Sequence, residues 1–385
     1  MVINQTLVGA AMVARGAGRA VGGIFGARHG IDGVLRGDLI DLRRPSDAFL
    51  ERIAATPSSA LGSCRHKPTA EDCDEILEAL VSRGVGYFLY IGGNDSADAA
   101  RIVAERASLR GAPLRVVHLP KTIDCDLRSC DHTPGYGSAA RFVACAFKGD
   151  DLDNRALGGV KIDVVMGRDA GFLAASSALA RERPDDGPHL VYLPERPFSM
   201  ARFASDVKAV MARLGRCVVA VSEGVRDGRG KLIAAKFSSE RDSHGNLQLS
   251  GSGALGDLLA GEIKRRLGVK RVRADTFGYL QRSFAGVASP TDSAEAREAG
   301  ACGMRHVLAE AARGAPCAAA TVGIVRAGGA GYRVRFEVMP VAAAAKDTRS
   351  MPDEFVAQSG SDVTPAFVRW ARPLVGDLPR CEVFA

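Results

Sequence analysis

Short apolar runs rich in Val, Ile, Leu and Phe alternate along the chain with longer segments in which apolar residues recur at helical spacing. The short runs predict strands at 22–28, 86–91, 115–120, 161–166, 188–194, 217–222 and 271–280. The helical spacing predicts helices at 96–108, 138–148, 170–182, 199–215, 254–268 and 292–314. This alternation predicts an α/β protein built from doubly wound, mostly parallel sheets.

The start of the chain has a helical rather than a strand pattern. The apolar residues that share one face of this predicted helix are Ile3, Leu7, Ala10, Ala11 and Ala14. A doubly wound domain normally opens with a strand and a glycine loop, so we expect the first strand to be missing here. Further along, the polar, glycine-rich stretch 241–253 is interpreted as either a mobile cover or a surface loop.

Length and composition limit the class of protein. A chain of 385 residues is too long for one small hydrophobic core and suggests two domains. No apolar run reaches membrane-spanning length, and the N-terminus lacks the pattern of a signal peptide. The nine cysteines are an odd number in a long chain, which argues for reduced thiols. We therefore expect a cytoplasmic protein with no membrane partner.

The positive charge does not single out nucleic acid, because small anionic substrates fit it equally well. The formal net charge is +7, but the basic residues are dispersed and form no run of five or six. Only 6% of residues are aromatic, so stacking platforms for bases are scarce. We expect no nucleic acid partner.

A glycine pair ends the predicted strand 86–91 and leads into a helix. Gly92 and Gly93 would let a phosphate approach the backbone, and the amides of a helix start attract anions. Asn94 or Asp95 could hold a magnesium ion through oxygen. The alternative is a tight turn in which Asp95 or Ser96 caps the helix, and the pattern alone does not separate the two.

Two carboxylates follow the predicted strand 115–120. On an extended backbone, Asp124 and Asp126 would point to one face. One could accept a proton from a sugar hydroxyl while the other helps to hold a metal ion, and Lys121 could contact a transferring phosphoryl group. The alternative is a solvated acidic turn. The nearby Cys125, Cys130 and His132 match no usual zinc spacing, so we interpret them as structural.

Other charged residues lie after predicted strands, in the segments 166–168, 222–224 and 278–282, and Arg65 lies in a further loop. Arginines at strand ends suit bidentate recognition of phosphate, and a glutamate can accept hydrogen bonds from sugar hydroxyls. Taken singly, each is equally compatible with an ordinary surface charge.

Taken together, these segments resemble the phosphofructokinase family. The motifs GGNDS, PKTIDCD, DHTPGYGSAARF, MGRDAGFLAASSALA, YLPERPF, VAVSEG and GYLQRS occur in the family's order, and SDVTPAFVRWARPLVG looks like the closing segment of a bacterial branch. The resemblance implies a phosphofructokinase-like fold. A phosphoryl-donor domain would span 1–138 and about 285–335, and a fructose-phosphate domain would span 139–284 and about 336–385.

The resemblance also implies an activity, which is phosphoryl transfer to the 1-hydroxyl of fructose 6-phosphate with Mg²⁺. Its implied catalytic residues are Asp124 as the base, Lys121 and Arg168. Its implied substrate contacts are Thr122, Ile123, Asp124, Met166, Gly167, Arg168, Glu223, Tyr279, Leu280, Gln281 and Arg282. Its implied donor contacts are Gly92, Gly93, Asp95, Ser96, Lys121 and Arg65, and its implied metal ligands are Asn94 and Asp126. It further implies a homodimer or homotetramer.

The donor is indicated by two residues. Family members that use ATP typically carry glycines where this chain has Asp95 and Lys121, so the resemblance points to the pyrophosphate-dependent branch. A carboxylate confined near the expected α-phosphate of ATP would repel it at a cost of several kcal/mol. We therefore expect pyrophosphate as the donor.

Three alternatives stay open. An ATP-dependent sugar-phosphate kinase differs in its donor. A catalytically impaired homologue would follow from the missing first strand and from the altered segment after Arg282. A dinucleotide-binding oxidoreductase is disfavoured, because no G-x-G-x-x-G with a later acidic residue follows the first strand.

Overall fold

A computed structural model describes residues 2–236, 253–315, 318–329, 331–345 and 348–384. The stretch 241–253, predicted to be a cover or a surface loop, lies outside these ranges except for Gly253. The chain divides into two compact units. Unit 1 comprises Met1–Gly135 and Asp292–Arg349, and unit 2 comprises Tyr136–Thr291 and Ser350–Ala385.

The structure is mixed α/β, as predicted. The helices are α1 Ile3–Gly16, α2 Ile31–Arg36, α3 Asp47–Ala55, α4 Ala70–Val81, α5 Asn94–Leu109, α6 Tyr136–Leu157, α7 Phe172–Ala175, α8 Met200–Leu214, α9 Ala254–Leu267, α10 Pro290–Ala312 and α11 Pro365–Val375. The strands are β1 Phe25–Ala27, β2 Leu39–Asp41, β3 Tyr87–Gly92, β4 Arg115–Pro120, β5 Gly159–Val165, β6 Leu190–Tyr192, β7 Arg216–Ser222, β8 Val272–Thr276, β9 Ala319–Arg326 and β10 Val334–Pro340.

The main sheet of unit 1 has the order β10-β9-β4-β3. Strands β3 and β4 are parallel over their whole length, from Tyr87 opposite Arg115 to Gly92 opposite Pro120. Strand β9 runs parallel to β4, and β10 is antiparallel to β9. The sheet is thus mostly parallel, as predicted. The β9–β10 pair was not predicted, because an alanine-rich start and alternating charged residues weaken its apolar signal.

Helices cover both faces of this sheet. One core packs α2, α4 and α5 against the sheet around Ile76, Leu77 and Val103. The other face packs against α1 and α10. Those two helices approach each other very closely, since a Cβ on Gly9 would lie 2.0 Å from the carbonyl oxygen of Arg297. The N-terminal helix, which is the first element of the described chain, is therefore an integral part of unit 1.

The sheet of unit 2 is wholly parallel, with the order β6-β7-β5-β8. Its core is rich in Val and Ile, and every residue of β7 is buried, because strands covered on both faces need no polar side. The predicted strand 271–280 ends earlier than expected, at Thr276, and Gly278–Arg282 forms a 3₁₀ helix instead. The predicted helix 170–182 is a single α-helical turn followed by a 3₁₀ helix.

Candidate active site

Neighbouring atoms pack closely against the glycine turn between β3 and α5. A Cβ on Gly92 would lie 2.0 Å from the Oγ of Ser96, so only glycine fits there. His118, which is wholly buried, donates from Nε2 to the carbonyl oxygen of Gly92 at 2.9 Å and accepts at Nδ1 from the Thr321 hydroxyl at 2.9 Å. Burial lowers the pKa of His118 to about 4, so the imidazole is neutral at pH 7. His118 therefore fixes the turn, a role that the sequence did not reveal.

Asp95 lies in the first turn of α5, and its surroundings differ from the expectation. Its side chain is 58% exposed rather than confined, and it forms an ion pair with Lys67, whose Nζ lies 2.8 Å from Oδ1. The hydrogen bond with Asp95 raises the pKa of Lys67. The predicted repulsive carboxylate is therefore paired with a cation that the sequence analysis did not single out.

The loop that carries Lys67 also carries Arg65, and the residue between them, His66, anchors this loop. His66 bridges the carboxylates of Asp32, at 3.1 Å, and Asp72, at 2.9 Å. Those two hydrogen bonds raise the pKa of His66, the one with Asp32 contributing most. Asp72 also forms a capping box with Thr69 at the start of α4. The loop is thus tied to α4 while Arg65 stays exposed.

The carboxylate loop after β4 is bent rather than extended. Cys125, between Asp124 and Asp126, has a φ of 60°, so the extended backbone assumed from the sequence is wrong here. The Oγ1 of Thr122 accepts from the amide of Asp124 at 3.1 Å and its hydroxyl hydrogen-bonds Asp126. Burial, reinforced by the charge of Asp124, raises the pKa of Asp126 to about 6. The two carboxylates are therefore coupled through Thr122 and through their charges.

Arg349 holds this bent loop in place. Its Nε donates to the carbonyl oxygen of Cys125 at 2.9 Å, and its Nη2 lies 3.1 Å from the Cys125 Sγ. It also donates to the carbonyl oxygen of Asp131, and its own amide donates to the carbonyl oxygen of Asp126 at 2.9 Å. Cys125 itself is fully buried. Because 224 residues separate Arg349 from Cys125, no local pattern indicated this contact.

Asn94 and Asp126, the predicted metal ligands, are in contact. The Nδ2 of Asn94 lies 3.3 Å from the Oδ2 of Asp126, and the Oδ1 of Asn94 is buried without a hydrogen-bond partner. An unpartnered amide oxygen on a side chain that contacts a carboxylate fits the preference of Mg²⁺ for oxygen ligands, and Mg²⁺ also keeps several waters and binds substrate phosphates. The described residues contain no cluster of three or more His, Cys, Asp or Glu able to hold a metal.

Lys121 is placed next to the glycine turn by the sheet. Its amide donates to the carbonyl oxygen of Gly92 at 2.9 Å, which extends the β3–β4 pairing by one residue. Ile123 lies between Thr122 and Asp124 in the same half-buried loop. Unit 1 therefore brings together the glycine turn, Lys121 and the carboxylate loop.

His132 belongs to a buried network rather than to a zinc site. Its ring lies 2.6 Å from Glu295 and 3.1 Å from Asp131, and Tyr332 donates to Glu295. Burial opposes the charged form of His132, but the hydrogen bonds with Asp131 and Glu295 raise its pKa overall. The structural interpretation of this histidine agrees with these contacts.

In unit 2, two predicted segments pack backbone to backbone. A Cβ on Gly224 would lie 2.0 Å from the carbonyl oxygen of Arg168, and Gly167 has a φ of 135°. The Ser222 hydroxyl donates to the carbonyl oxygen of Gly167 at 2.6 Å. Glu223, which is 5% exposed, is fixed by its amide, which donates to Val165 at 2.9 Å. Unit 2 therefore brings Arg168 and Glu223 together at the ends of β5 and β7.

The third predicted segment of unit 2 forms the 3₁₀ helix that follows β8. Gln281 is fully buried, where it accepts from the Met166 amide at 3.2 Å and donates to the Gly278 carbonyl at 2.9 Å. Its side chain therefore positions Met166. The Arg282 guanidinium lies 4.4 Å from the ring centroid of Tyr279, and Tyr279 and Leu280 are largely exposed.

Three comparisons with known proteins agree. A sequence profile described as phosphofructokinase matches residues 2–307. Two relatives are named pyrophosphate–fructose 6-phosphate 1-phosphotransferase. The one from Rhodospirillum rubrum is 51% identical, over 97% of this chain and 91% of its own length. The one from Xanthomonas campestris is 38% identical, over 98% of this chain and 90% of its own length. The crystal structure of a pyrophosphate-dependent phosphofructokinase from Nitrosospira multiformis is 30% identical and superposes with a TM-score of 0.85, over 99% of this chain and 91% of that chain.

Proposed function

Because the chain belongs to the phosphofructokinase family, we propose that it transfers a phosphoryl group from pyrophosphate to the 1-hydroxyl of fructose 6-phosphate. The products are fructose 1,6-bisphosphate and inorganic phosphate, and the reaction is reversible. The observation that carries the proposal is the carboxylate loop of unit 1. Asp124 and Asp126 lie there with Thr122, directly beyond a strand whose neighbour ends in the glycine turn.

Asp124 acts as the base in this proposal. Its carboxylate accepts the proton of the 1-hydroxyl while the hydroxyl oxygen attacks the nearer phosphorus of pyrophosphate. The bridging P–O bond breaks, and its electron pair leaves with inorganic phosphate. Such transfers depend on alignment and on neutralising the charge of the phosphoryl oxygens, which is the role of Lys121 and of the amides at the glycine turn.

Asn94 and Asp126 would hold Mg²⁺. Asn94 has a buried Oδ1 without a hydrogen-bond partner, and its Nδ2 contacts the Asp126 carboxylate, which supports this assignment. When bound, the ion would withdraw charge from the phosphoryl oxygens. The amide of Asn94 supplies a ligand oxygen without a charge, so the protein contributes one negative charge fewer than two carboxylates would.

Unit 2 would supply the contacts to the sugar phosphate. Arg168 and Arg282 are suited to bind the 6-phosphate, and Glu223 is suited to accept hydrogen bonds from sugar hydroxyls. Tyr279 and Leu280 would contact the same side of the substrate. Gly167 and Gln281 act by holding Met166 and Arg168 in place.

Pyrophosphate is favoured as the donor over ATP. The relatives that match nearly the whole chain are named for pyrophosphate. Asp95 and Lys121 occupy the positions at which ATP-dependent members of the family typically carry glycine. Lys121 adds a cation beside a short donor that offers no nucleoside for binding.

A coupled assay tests this proposal. Purified protein is given fructose 6-phosphate and Mg²⁺ with either pyrophosphate or ATP, and formation of fructose 1,6-bisphosphate is followed. We expect turnover with pyrophosphate and, with ATP, a kcat/KM lower by a factor on the order of 100 or more, because the Asp95 side chain stands where ATP-dependent members of the family typically carry glycine. Preferred use of ATP would assign the chain to the other donor class, and no turnover with either would contradict the activity.

We further propose a cytoplasmic homodimer or homotetramer, with no nucleic acid or membrane partner. The described helices include none that is long and apolar enough to cross a membrane. Sedimentation at assay concentration would measure the oligomeric state, and a monomer would contradict the proposed assembly.

A further inference from the structure

The ion pair between Lys67 and Asp95 bears on how a negatively charged donor could bind next to a carboxylate. Pyrophosphate carries several negative charges, and an unpaired carboxylate in the first turn of α5 would repel it, just as it would repel ATP. In the structure the carboxylate is not bare. The Nζ of Lys67 lies 2.8 Å from its Oδ1.

We propose that Lys67 is a donor-specificity residue, which neutralises Asp95 so that pyrophosphate can bind beside Gly92 and Gly93. This inference rests on the proposed function and concerns the same site. Asp95 then has two effects. It occupies the space next to the glycine turn, where the larger donor would continue, while its charge is cancelled for the smaller donor.

The loop around Lys67 is built to present this cation. His66, the preceding residue, is held by Asp32 and Asp72, and the following Pro68 restricts the backbone. Thr69 and Asp72 cap α4 immediately afterwards. Lys67 is thus carried by a short segment anchored on both sides, and its ammonium reaches α5 from there.

The pair contributes little to folding, which makes its function testable. The side chains of Lys67 and Asp95 are 61% and 58% exposed, and exposed ion pairs stabilise proteins weakly. Removal of the ammonium should therefore leave the fold and the thermal midpoint unchanged. A change in pyrophosphate affinity would then report on the charge at the site.

A double-mutant cycle tests the inference. Lys67→Met should raise the KM for pyrophosphate by about 10- to 100-fold and weaken calorimetric pyrophosphate binding equally, because the Asp95 charge is left uncompensated. The kcat at saturating pyrophosphate should change by less than about threefold, because the chemistry is untouched. Asp95→Asn alone should lower the KM for pyrophosphate, because Lys67 then adds an unpaired positive charge at the donor site. Lys67→Met combined with Asp95→Asn should return the KM to within about threefold of the parent protein, because the two positions then carry no net charge, as in the intact pair.

Two control variants sharpen the cycle. Lys67→Arg keeps the charge and should stay within about threefold of the parent protein. Arg110 follows the other end of α5, about 22 Å from Asp95 along the helix, and forms ion pairs with Asp74 and Glu78 of α4. Arg110→Met removes this partly exposed cation and should not change pyrophosphate binding.

The outcomes are distinguishable from those of the donor assay. Calorimetry measures pyrophosphate binding without turnover, so the cycle can be completed even if the proposed activity fails. An unchanged affinity in Lys67→Met would overturn the inference. So would a double variant that stays as weak as Lys67→Met, since Lys67 would then bind pyrophosphate directly rather than act through Asp95. A parent protein that binds no pyrophosphate would overturn it as well.

Discussion

The predicted site residues of unit 1 and of unit 2 are held in place by different means. In unit 1, side chains distant in sequence hold the loops: His118 fixes the glycine turn, and Arg349 fixes the carboxylate loop. In unit 2, the backbones at Gly167 and Gly224 are in direct contact, which leaves no room for a side chain at Gly224. Substitutions in unit 1 should therefore lower activity by different amounts while the fold is kept. Substitutions of the unit 2 glycines should instead destabilise the folded unit.

The largest effect is expected at the base. Asp124→Asn keeps the shape of the side chain but removes its capacity to accept the hydroxyl proton, so kcat should fall by about 10²- to 10⁴-fold. The KM for pyrophosphate should change little. Steady-state kinetics with fructose 6-phosphate and pyrophosphate measures both values. A kcat close to that of the parent protein would show that another group is the base.

The next largest effect tests the backbone packing of unit 2. Gly224→Ala places a Cβ 2.0 Å from the carbonyl oxygen of Arg168, and should lower the free energy of unfolding by about 3 kcal/mol and abolish activity. Gly228→Ala is the matched control, because no heavy atom lies within 4 Å of its Cβ, and it should change stability by less than about 0.5 kcal/mol. Equal urea midpoints for the two variants would contradict the comparison between the units.

A smaller effect is expected at the clamp of the carboxylate loop. Arg349→Met removes the donors to Cys125 and Asp131, and the loosened loop should lower kcat by about 10- to 100-fold while the KM for fructose 6-phosphate changes less. Arg349→Lys should recover part of the loss. Arg335→Met, which removes an exposed cation from β10, is the control. A loss of stability without a loss of kcat would indicate that Arg349 supports only the fold.

The effect confined to the narrowest range of conditions concerns acid stability. The folded pKa of His118 is about 4, below the 6.5 of an unfolded histidine, so the unfolded chain binds the extra proton first. The stabilisation that follows from this lowered pKa is fully present above pH 6.5 and is lost as pH falls toward 4. The free energy of unfolding should decrease by about 3 kcal/mol in total over this range. Urea unfolding of the parent protein and of His118→Asn from neutral pH down to the folded pKa measures this. The two curves should converge on acidification, and parallel curves would contradict it.

Much of the fold could be predicted because its signals are local. The apolar runs that became β3, β4, β5 and β7 end next to the polar motifs, and parallel strands carry such motifs to one edge of a sheet. The β9–β10 pair and the helices α2, α3, α4 and α11 were not predicted, because their patterns are short or mixed with charged residues. The 3₁₀ helix at 278–282 replaced the end of the predicted strand 271–280, because Gly278 adopts a φ of 52°.

Local patterns along the chain are enough to show which residues follow the ends of the strands, and with them the family and the candidate chemistry. How those residues are held, and which charges meet, depends on the folded molecule. Lys67 with Asp95, His118 with Gly92 and Arg349 with Cys125 are contacts between segments far apart in the chain. Periodicity and motif spacing describe neighbours along the chain, whereas ion pairs and loop clamps depend on packing that brings distant segments together.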